Sequence, residues 1–402
     1  MSAIQRPRIV NGVEIPQAPL WLLAIITFCG TFAMHIFVPA LPIAGADLKV
    51  GAAAMQTTIS IYILGLAFGQ LIYGPLADRF GRRKVLMFGI VIYTSAGLAA
   101  ALAPDAQALI TARLFQALGG CSGLVLGRAM VRDTSTSDDA VKRLALMNMM
   151  VMLGPGLAPL LGGLMANSLG WRSIFFALCA LGIVNFLLAW RLLPETGKPR
   201  PKNGPSLLHD YKKLLSSKVF LLLTLGGGCA TTSGYAFIAS APFIFVHDLQ
   251  RPASEVGPYL AMQVCGVWGG SFTASRLIAY VSARKLMITA NAVSLLAIFV
   301  LLGATLLGLL SVPLVIATMF VFSWGSGTAS PSALNEAISL NPNVVGSASG
   351  LYGFGQMAVG AVCTTLAGLG SNPALGVGIV MATAGVIAQL SFRYAGRVRI
   401  ED

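Results

Sequence analysis

The stretch GPLADRFGRRK, residues 74–84, holds five charged side chains within eleven residues. It separates two long apolar runs, which we place at residues 55–77 and 84–103. A helical run of about 20 apolar residues is long enough to cross the ~30 Å hydrocarbon core of a bilayer. The stretch is therefore predicted to be a short turn at a membrane surface that joins two transmembrane helices.

Long apolar runs separated by short polar turns continue along all 402 residues. The chain is 56% hydrophobic and only 10% charged, with a mean hydropathy of +0.79, whereas water-soluble domains carry about 25% charged residues. The sequence lacks the alternating ten-residue segments of a membrane β-barrel. We predict an all-α polytopic membrane protein with twelve transmembrane helices, here called spans 1 to 12. They are placed at residues 18–41, 55–77, 84–103, 107–128, 144–168, 171–193, 218–247, 254–279, 284–307, 312–338, 346–369 and 373–394.

The basic residues predict an orientation. With the N-terminus inside, nearly all of the 27 Lys and Arg residues fall in inner segments, and the outer loops hold only Lys49, Arg172 and Arg251. This asymmetry is the positive-inside pattern and predicts two cytoplasmic termini. The first run is too long for a signal-peptide core and is taken as an uncleaved helix. The net charge of +13 then fits the anionic lipid bilayer and requires no nucleic acid.

Motifs of enzymes and metal sites are missing from the sequence. The six cysteines form no CxxC pair, and the three histidines form no HExxH motif. No GxSxG motif and no phosphate-binding loop is present. We therefore predict a protein that is not an enzyme or an ATP-driven pump and has no metal and no cofactor.

One long polar gap divides the chain. It lies at residues 194–217, is basic and rich in proline at its start, and has a possible helix near residues 207–215. The predicted domains are therefore two six-helix halves, 1–193 and 218–402, joined by a cytoplasmic linker at 194–217. Residues 74–87 align with residues 275–288 at a shift of 201 residues, which indicates pseudo-symmetric halves. Transporters built this way bind their substrate near the membrane midplane between the halves.

Three motifs carry a family resemblance. Residues 74–84 resemble the signature loop between helices 2 and 3 of the major facilitator superfamily. RLFQALGGCSGLVLGRAMVRD, residues 113–133, and LGPGLAPLLGGLM, residues 153–165, are similar to the helix 4 and helix 5 motifs of its drug:proton antiporter branch. VPALP at residues 38–42 fits the Bcr/CflA group of that branch.

The resemblance implies the major facilitator fold and secondary active transport by alternating access. It implies proton-coupled efflux of small amphipathic or aromatic organic molecules, with protons as coupling ion. One chain supplies both halves of a cavity, so a monomer is expected. Two alternatives stay open: an importer or facilitator of a small organic nutrient such as a vitamin or metabolite, and a membrane sensor that transports nothing.

The resemblance also implies two sets of conformational residues. The first is a latch that holds one half to the other in one state, although its charges could also be solvated loop charges. Its residues are Gly74, Asp78, Arg79, Gly81, Arg82, Arg83 and Asp133. The second is a hinge packed against helix 8, for which ordinary helix packing is the alternative. Its residues are Gly154, Pro155, Gly156, Pro159, Gly162 and Gly163.

Charged or titratable residues inside spans are costly and mark candidate substrate or proton sites. His35 stands four residues before Pro39, where the Bcr/CflA pattern usually has a carboxylate. An imidazole titrates near neutral pH and could exchange protons; a hydrogen-bonded packing histidine is the alternative. At helical spacing, His35 shares a face with three further candidate residues. These are Phe28, Thr31 and Phe32.

Three more candidate residues lie in spans. Arg113, followed by Gln116, matches the family's helix 4 pattern, in which the arginine faces the cavity. Glu336 in span 10 could carry a proton if it is buried, or could be a wetted glutamate at the membrane interface. The predicted substrate or proton site thus contains Arg113, Gln116 and Glu336 together with the His35 face.

Overall fold

A computed structural model of the chain describes residues 8–10, 13–15, 18–135, 137–196, 207–340, 345–370 and 372–401. Twelve long helical spans run through these residues, as the apolar runs predict. Their bounds are Leu20–Asp47, Ala52–Phe80, Arg82–Ala101, Ala106–Asp133, Ser137–Leu169, Arg172–Leu192, Lys218–Asp248, Ala253–Leu277, Ala283–Leu306, Val312–Ser339, Val345–Ala367 and Pro373–Glu401.

Ten of these helices are long and apolar enough to cross a membrane, judged over the described residues. Spans 8 and 11 complete the twelve. The predicted linker helix is present at Leu207–Ser216. A short antiparallel pair of strands, Arg8–Val10 and Val13–Ile15, precedes span 1.

Spans 1 and 7 are not continuous α-helices. In span 1, a 3₁₀ turn at Val38–Ala40 follows the helix Leu20–Phe37. Pro39 has no N–H to donate to the carbonyl four residues earlier. The N–H of Val38 donates to the carbonyl of His35 instead, which tightens the helix directly after His35. Span 7 ends in a π-helical turn, Ile244–Asp248.

Small residues allow the helices to approach closely. The backbone of Gly30 in span 1 lies against Gly120 in span 4, as is common where helices pack in a bilayer. Spans 2 and 11 pack along each other, and so do spans 5 and 8. These four helices form much of the contact between the first six and the last six spans.

The two ends of the bundle differ in chemistry. At one end, here called the far end, Arg172 donates to Asp47 and to the carbonyl oxygen of Ala103. At the other end, here called the latch end, lie Asp78, Arg82 and Asp133. The predicted domain boundaries coincide with helix ends, and the division into two moving halves is proposed below.

Candidate functional site

His35 is buried at the junction of the first and last six spans, with 6% of its surface exposed. Its ring lies 6.3 Å from the ring of Tyr235 in span 7, centroid to centroid. Its Nδ1 lies 2.9 Å from the carbonyl oxygen of Thr31. A carbonyl only accepts hydrogen bonds, so Nδ1 carries the hydrogen of the neutral ring and Nε2 can take up a proton.

The other residues of the predicted face of span 1 contact one another. Phe28 and Phe32 stack with ring centroids 4.6 Å apart. Thr31 donates its hydroxyl to the carbonyl oxygen of Phe28 at 3.2 Å. A Cβ on Gly154 of span 5 would lie 2.9 Å from the Phe28 ring, so the missing side chain of this glycine makes room for the aromatic pair.

Two glutamines of span 2 contact the last six spans on either side of His35, and the sequence reading did not single them out. Gln56, near the far end, donates from Nε2 to the hydroxyl of Ser240 in span 7 at 3.0 Å. Gln70, nearer the latch end, fills the space left by the absent side chain of Gly353 in span 11. They lie fourteen residues apart in one helix, which is about 21 Å.

Arg113 is fully buried, with 0% of its surface exposed. Its Nη1 donates to the carbonyl oxygen of Ala33 at 3.0 Å and to Oε1 of Gln116 at 2.8 Å. Its guanidinium carbon lies 4.0 Å from the centroid of the Tyr62 ring. All these partners belong to the first six spans. Arg113 therefore lies behind span 1, inside the first half, and its role in a substrate or proton site stays a prediction.

Glu336 is half-buried and lies three residues before the end of span 10. His35 is near the middle of span 1, so the structure does not bring these two candidates to the same depth. On the same helical face, the Ser332 side chain is buried and that of Ser339 is exposed. The position fits the interfacial alternative of the prediction better than a deeply buried one.

The charged residues of the predicted latch form a cluster. Arg82 Nη1 lies 3.0 Å from Asp78 Oδ1, and its Nε lies 3.1 Å from Asp133 Oδ2. The three side chains are only 18–26% exposed, so their attraction is less screened than that of surface pairs. Arg82 thus joins spans 2, 3 and 4 of the first half at the latch end.

Gly81 makes the turn between spans 2 and 3 with φ +96° and ψ 147°, a conformation that side chains disfavour. A Cβ on it would lie 2.6 Å from Oε2 of Glu195. Glu195 follows span 6 and accepts hydrogen bonds from the backbone N–H groups of Arg82 and Arg83. From the sequence, Glu195 is part of the predicted linker and is not among the predicted latch residues.

The other residues of the predicted latch are more peripheral. Arg83 donates from Nη2 to the carbonyl oxygen of Trp190 at 2.5 Å. Arg79 is exposed, and its guanidinium carbon lies 5.1 Å from the centroid of the Phe80 ring. Gly74 has open space where a Cβ would be. Arg82 and Arg83 therefore donate most of the hydrogen bonds shown for this cluster.

The glycines of the predicted hinge touch two neighbouring helices. Gly156 faces Val264 and Trp268 of span 8, and the carbonyl oxygen of Pro159 lies 2.6 Å from where Gly257 of span 8 would carry a Cβ. Gly162 packs on the backbone of span 1, and Gly163 approaches Pro39. Pro155 and Pro159 both lie inside the helix. Span 5 thus packs closely between span 1 and span 8.

The described residues contain no group of three or more His, Cys, Asp and Glu side chains arranged to hold a metal. A bundle of twelve long helical spans, ten of them apolar enough to cross a membrane over the described residues, is the architecture of a multi-pass membrane protein. The chain belongs to the Major Facilitator Superfamily, whose family model matches residues 23–364. Its members are transport proteins, so the chain is not an enzyme, as predicted.

Bacterial relatives cover almost the whole chain. The MFS-type transporter YdgK of Bacillus subtilis is 29% identical over 379 residues, 92% of this chain and 94% of the relative. Multidrug resistance protein D of Escherichia coli is 30% identical over 377 residues, with the same coverage. The bicyclomycin resistance protein homolog of Haemophilus influenzae is 25% identical over 347 residues, 86% of this chain and 87% of the relative. These relatives confirm the resemblance to the Bcr/CflA drug:proton antiporter group.

A solved structure confirms the fold. The nucleoside transporter NupG superposes with a TM-score of 0.75 and covers 94% of this chain and 98% of its own. Its sequence identity is 14%, so this likeness concerns the fold alone.

Proposed function

We propose that the protein exports small amphipathic or aromatic organic molecules from bacteria in exchange for protons, by alternating access. The observation that carries the proposal is the position of His35, a buried titratable side chain at the junction of the two halves. The names of two relatives, a multidrug resistance protein and a bicyclomycin resistance protein homolog, support efflux of organic compounds.

Proton exchange at His35 would use its Nε2, because Nδ1 is occupied by the carbonyl of Thr31. Imidazole can gain and lose a proton near neutral pH. Taking up a proton creates a charge at a buried position beside the ring of Tyr235. A buried charge is costly unless it is hydrated or paired, so the protonated state favours a conformation that opens His35 to water.

The moving parts are two halves, residues 1–193 and 218–402, joined by the linker 194–217. Substrate would bind between them, near His35. Gln56 contacts the last six spans on the far-end side of His35, and Gln70 contacts them on the latch-end side. The Gln56 contact would break when the far end opens, and the Gln70 contact would break when the latch end opens. The Arg82 cluster would serve as the latch, and the small residues of span 5 would limit leakage where this helix packs against span 8.

The setting is proposed to be the bacterial inner membrane, with both termini in the cytoplasm. The asymmetry of Lys and Arg between the predicted loops supports this orientation. One chain contains both halves of the binding site, which supports a monomer as the working unit.

The test is steady-state accumulation of aromatic antibiotics, dyes and vitamins in a bacterium lacking its own exporters. Cells with the protein should accumulate less of one or more compounds, and a protonophore should abolish the difference. His35→Ala should remove at least 90% of the export. His247→Ala is the matched control, since His247 is exposed at the far end and stacks on Phe243. Export that persists in His35→Ala would contradict coupling at this residue.

A second candidate function is import, or facilitated passage, of a small organic nutrient. It is favoured by His35 itself, because the Bcr/CflA pattern usually has a carboxylate at this position. The same assay separates the two functions: raised accumulation of one compound supports uptake and overturns export. A protonophore-insensitive rise would indicate a facilitator, with His35 as a substrate contact.

A further inference from the structure

Glu195 binds the start of span 3 across a large sequence distance. Its Oε1 accepts from the N–H of Arg82 at 2.8 Å, and its Oε2 accepts from the N–H of Arg83 at 3.2 Å. The first N–H groups of any helix have no partner within the helix. The cap residue of span 3 is Gly81, which has no side chain to accept them. A residue 113 positions later therefore does what a serine or aspartate cap usually does.

A carboxylate is well suited to this place, because the start of a helix carries a partial positive charge. The fit also depends on Gly81: a methyl group there would lie 2.6 Å from the Glu195 oxygen. The absence of a side chain thus serves both the φ of +96° and the approach of the carboxylate.

Thr196, the residue after Glu195, links back to Arg82 through Asp133. Thr196 donates its hydroxyl to Asp133 Oδ2 at 3.4 Å, and the same oxygen accepts from Arg82 Nε at 3.1 Å. Arg82 is therefore held at its backbone by Glu195 and at its side chain by Asp133, which also contacts Thr196. The chain that leaves span 6 toward the linker thus binds Arg82 directly at its backbone and indirectly, through Asp133, at its side chain.

From this arrangement we infer that Glu195 is a positioning residue for Arg82. By fixing the first turn of span 3, it sets the guanidinium at the distance where it reaches both Asp78 and Asp133. It also holds the residues that follow span 6 against this cluster. The substrate does not touch Glu195.

Hydrogen exchange of the purified protein tests the contact without any substrate. In Glu195→Ala, the amides of residues 82 and 83 should exchange about five- to tenfold faster, the loss expected for a helix cap. Glu195→Gln keeps an acceptor and should show less than half of this change on a logarithmic scale. The first turn of span 9, capped by its own Ser282, is the internal control. Unchanged exchange at residues 82 and 83 would overturn the inference.

A double-mutant cycle tests whether Glu195 acts through Arg82. Thermal midpoints are compared for Glu195→Ala, Arg82→Ala and the double variant. If Glu195 positions Arg82, its removal should lower the midpoint less once Arg82 is absent. Additive effects would show that the two act independently and would overturn the positioning role. Glu255→Ala is the control: Glu255 pairs with Arg251 at the far end, and its effect should add to that of Arg82→Ala.

The transport readout rests on the proposed function. Per folded molecule, Glu195→Ala should lower the maximal export rate about three- to tenfold and leave the half-saturating concentration unchanged, with partial rescue in Glu195→Gln. An unchanged maximal rate would restrict Glu195 to holding the chain and overturn its role in transport. If the wild-type protein exports nothing, the proposed function fails. Hydrogen exchange and the double-mutant cycle still test whether Glu195 positions Arg82.

Discussion

The corner between spans 2 and 3 and the corner between spans 8 and 9 each turn the chain into a new helix, but they use different residues to do so. Both reverse the chain at the end of the second helix of a six-helix half, and the two sequences align at a shift of 201 residues. In the first corner, Gly81 adopts φ +96°, and Glu195 caps the following helix from outside. Arg82 then binds Asp78 and Asp133.

The second corner keeps two basic residues, Arg284 and Lys285, but lacks the acid–base pair of the first corner. Ser282 stands in place of Gly81, has a relaxed φ of −59°, and accepts the N–H of Lys285 with its own hydroxyl at 3.4 Å. Ala279 and Ala283 stand where the first corner has Asp78 and Arg82. Because a serine and two alanines take the places of Gly81, Asp78 and Arg82 here, the turn itself does not require the Asp78–Arg82 pair. Its presence there is a sign of function.

The largest effect is expected from removing the arginine that centres the first corner. Arg82→Ala leaves Asp78 and Asp133, both mostly buried, without this partner. Breaking such a pair costs several kcal/mol at full burial and about 1–2 kcal/mol at this partial exposure. We expect at least a tenfold lower export rate. Arg284→Ala is the matched change in the second corner, where Arg284 packs across Gly396, and it should reduce the rate less than twofold. Equal losses would contradict a special role for the first corner.

A smaller effect is expected from the turn residues. Gly81→Ala meets both an unfavourable φ and the Glu195 carboxylate and should destabilise the protein by about 2 kcal/mol. Ser282→Ala only removes a cap, at a cost of about 1 kcal/mol. Thermal midpoints in detergent measure both. In a Glu195→Ala background, Gly81→Ala should lower the thermal midpoint by less than in the wild type, because the clash with the carboxylate is gone and only the backbone strain remains. An equal cost in both backgrounds would show that the carboxylate does not restrict position 81.

The smallest effect is expected from building the charge pair into the second corner. Ala279→Asp with Ala283→Arg creates a charge pair across the exposed turn between spans 8 and 9, and exposed pairs of this kind are worth about 0.2–1 kcal/mol. Leu334 stands where the first corner has Asp133, so the new arginine finds no second carboxylate there. The export rate should stay within twofold of the wild type and the midpoint within about one degree. A large change in rate would show that a pair alone can act as a latch.

Features that depend on one segment at a time were predictable from the sequence. The twelve spans, the linker helix and the turn at Gly81 follow from apolar run length and local composition, and all three are present in the structure. Span ends differ by several residues, as for span 3, placed at residues 84–103 and found at Arg82–Ala101. The reason is that charged residues at a membrane surface can still form the first turn of a helix.

Features that depend on how helices face each other were predicted less well. Arg113 was expected to face the cavity and lies inside the first half, because the rotation of span 4 directs it toward Tyr62 and the backbone of span 1. The roles of Gln56, Gln70 and Glu195 have no local signal, since each contacts a residue far along the chain. His35 was found from sequence because a polar residue in an apolar run stands out by itself.

The sequence by itself determined that the chain crosses a membrane many times and resembles the major facilitator superfamily, because hydrophobic length and short motifs are properties of contiguous residues. The tertiary structure decided which polar groups meet: His35 with the ring of Tyr235, Arg82 with Asp78 and Asp133, and Glu195 with the start of span 3. Such contacts depend on the rotation and packing of whole helices, which is set by the fit of many side chains at once.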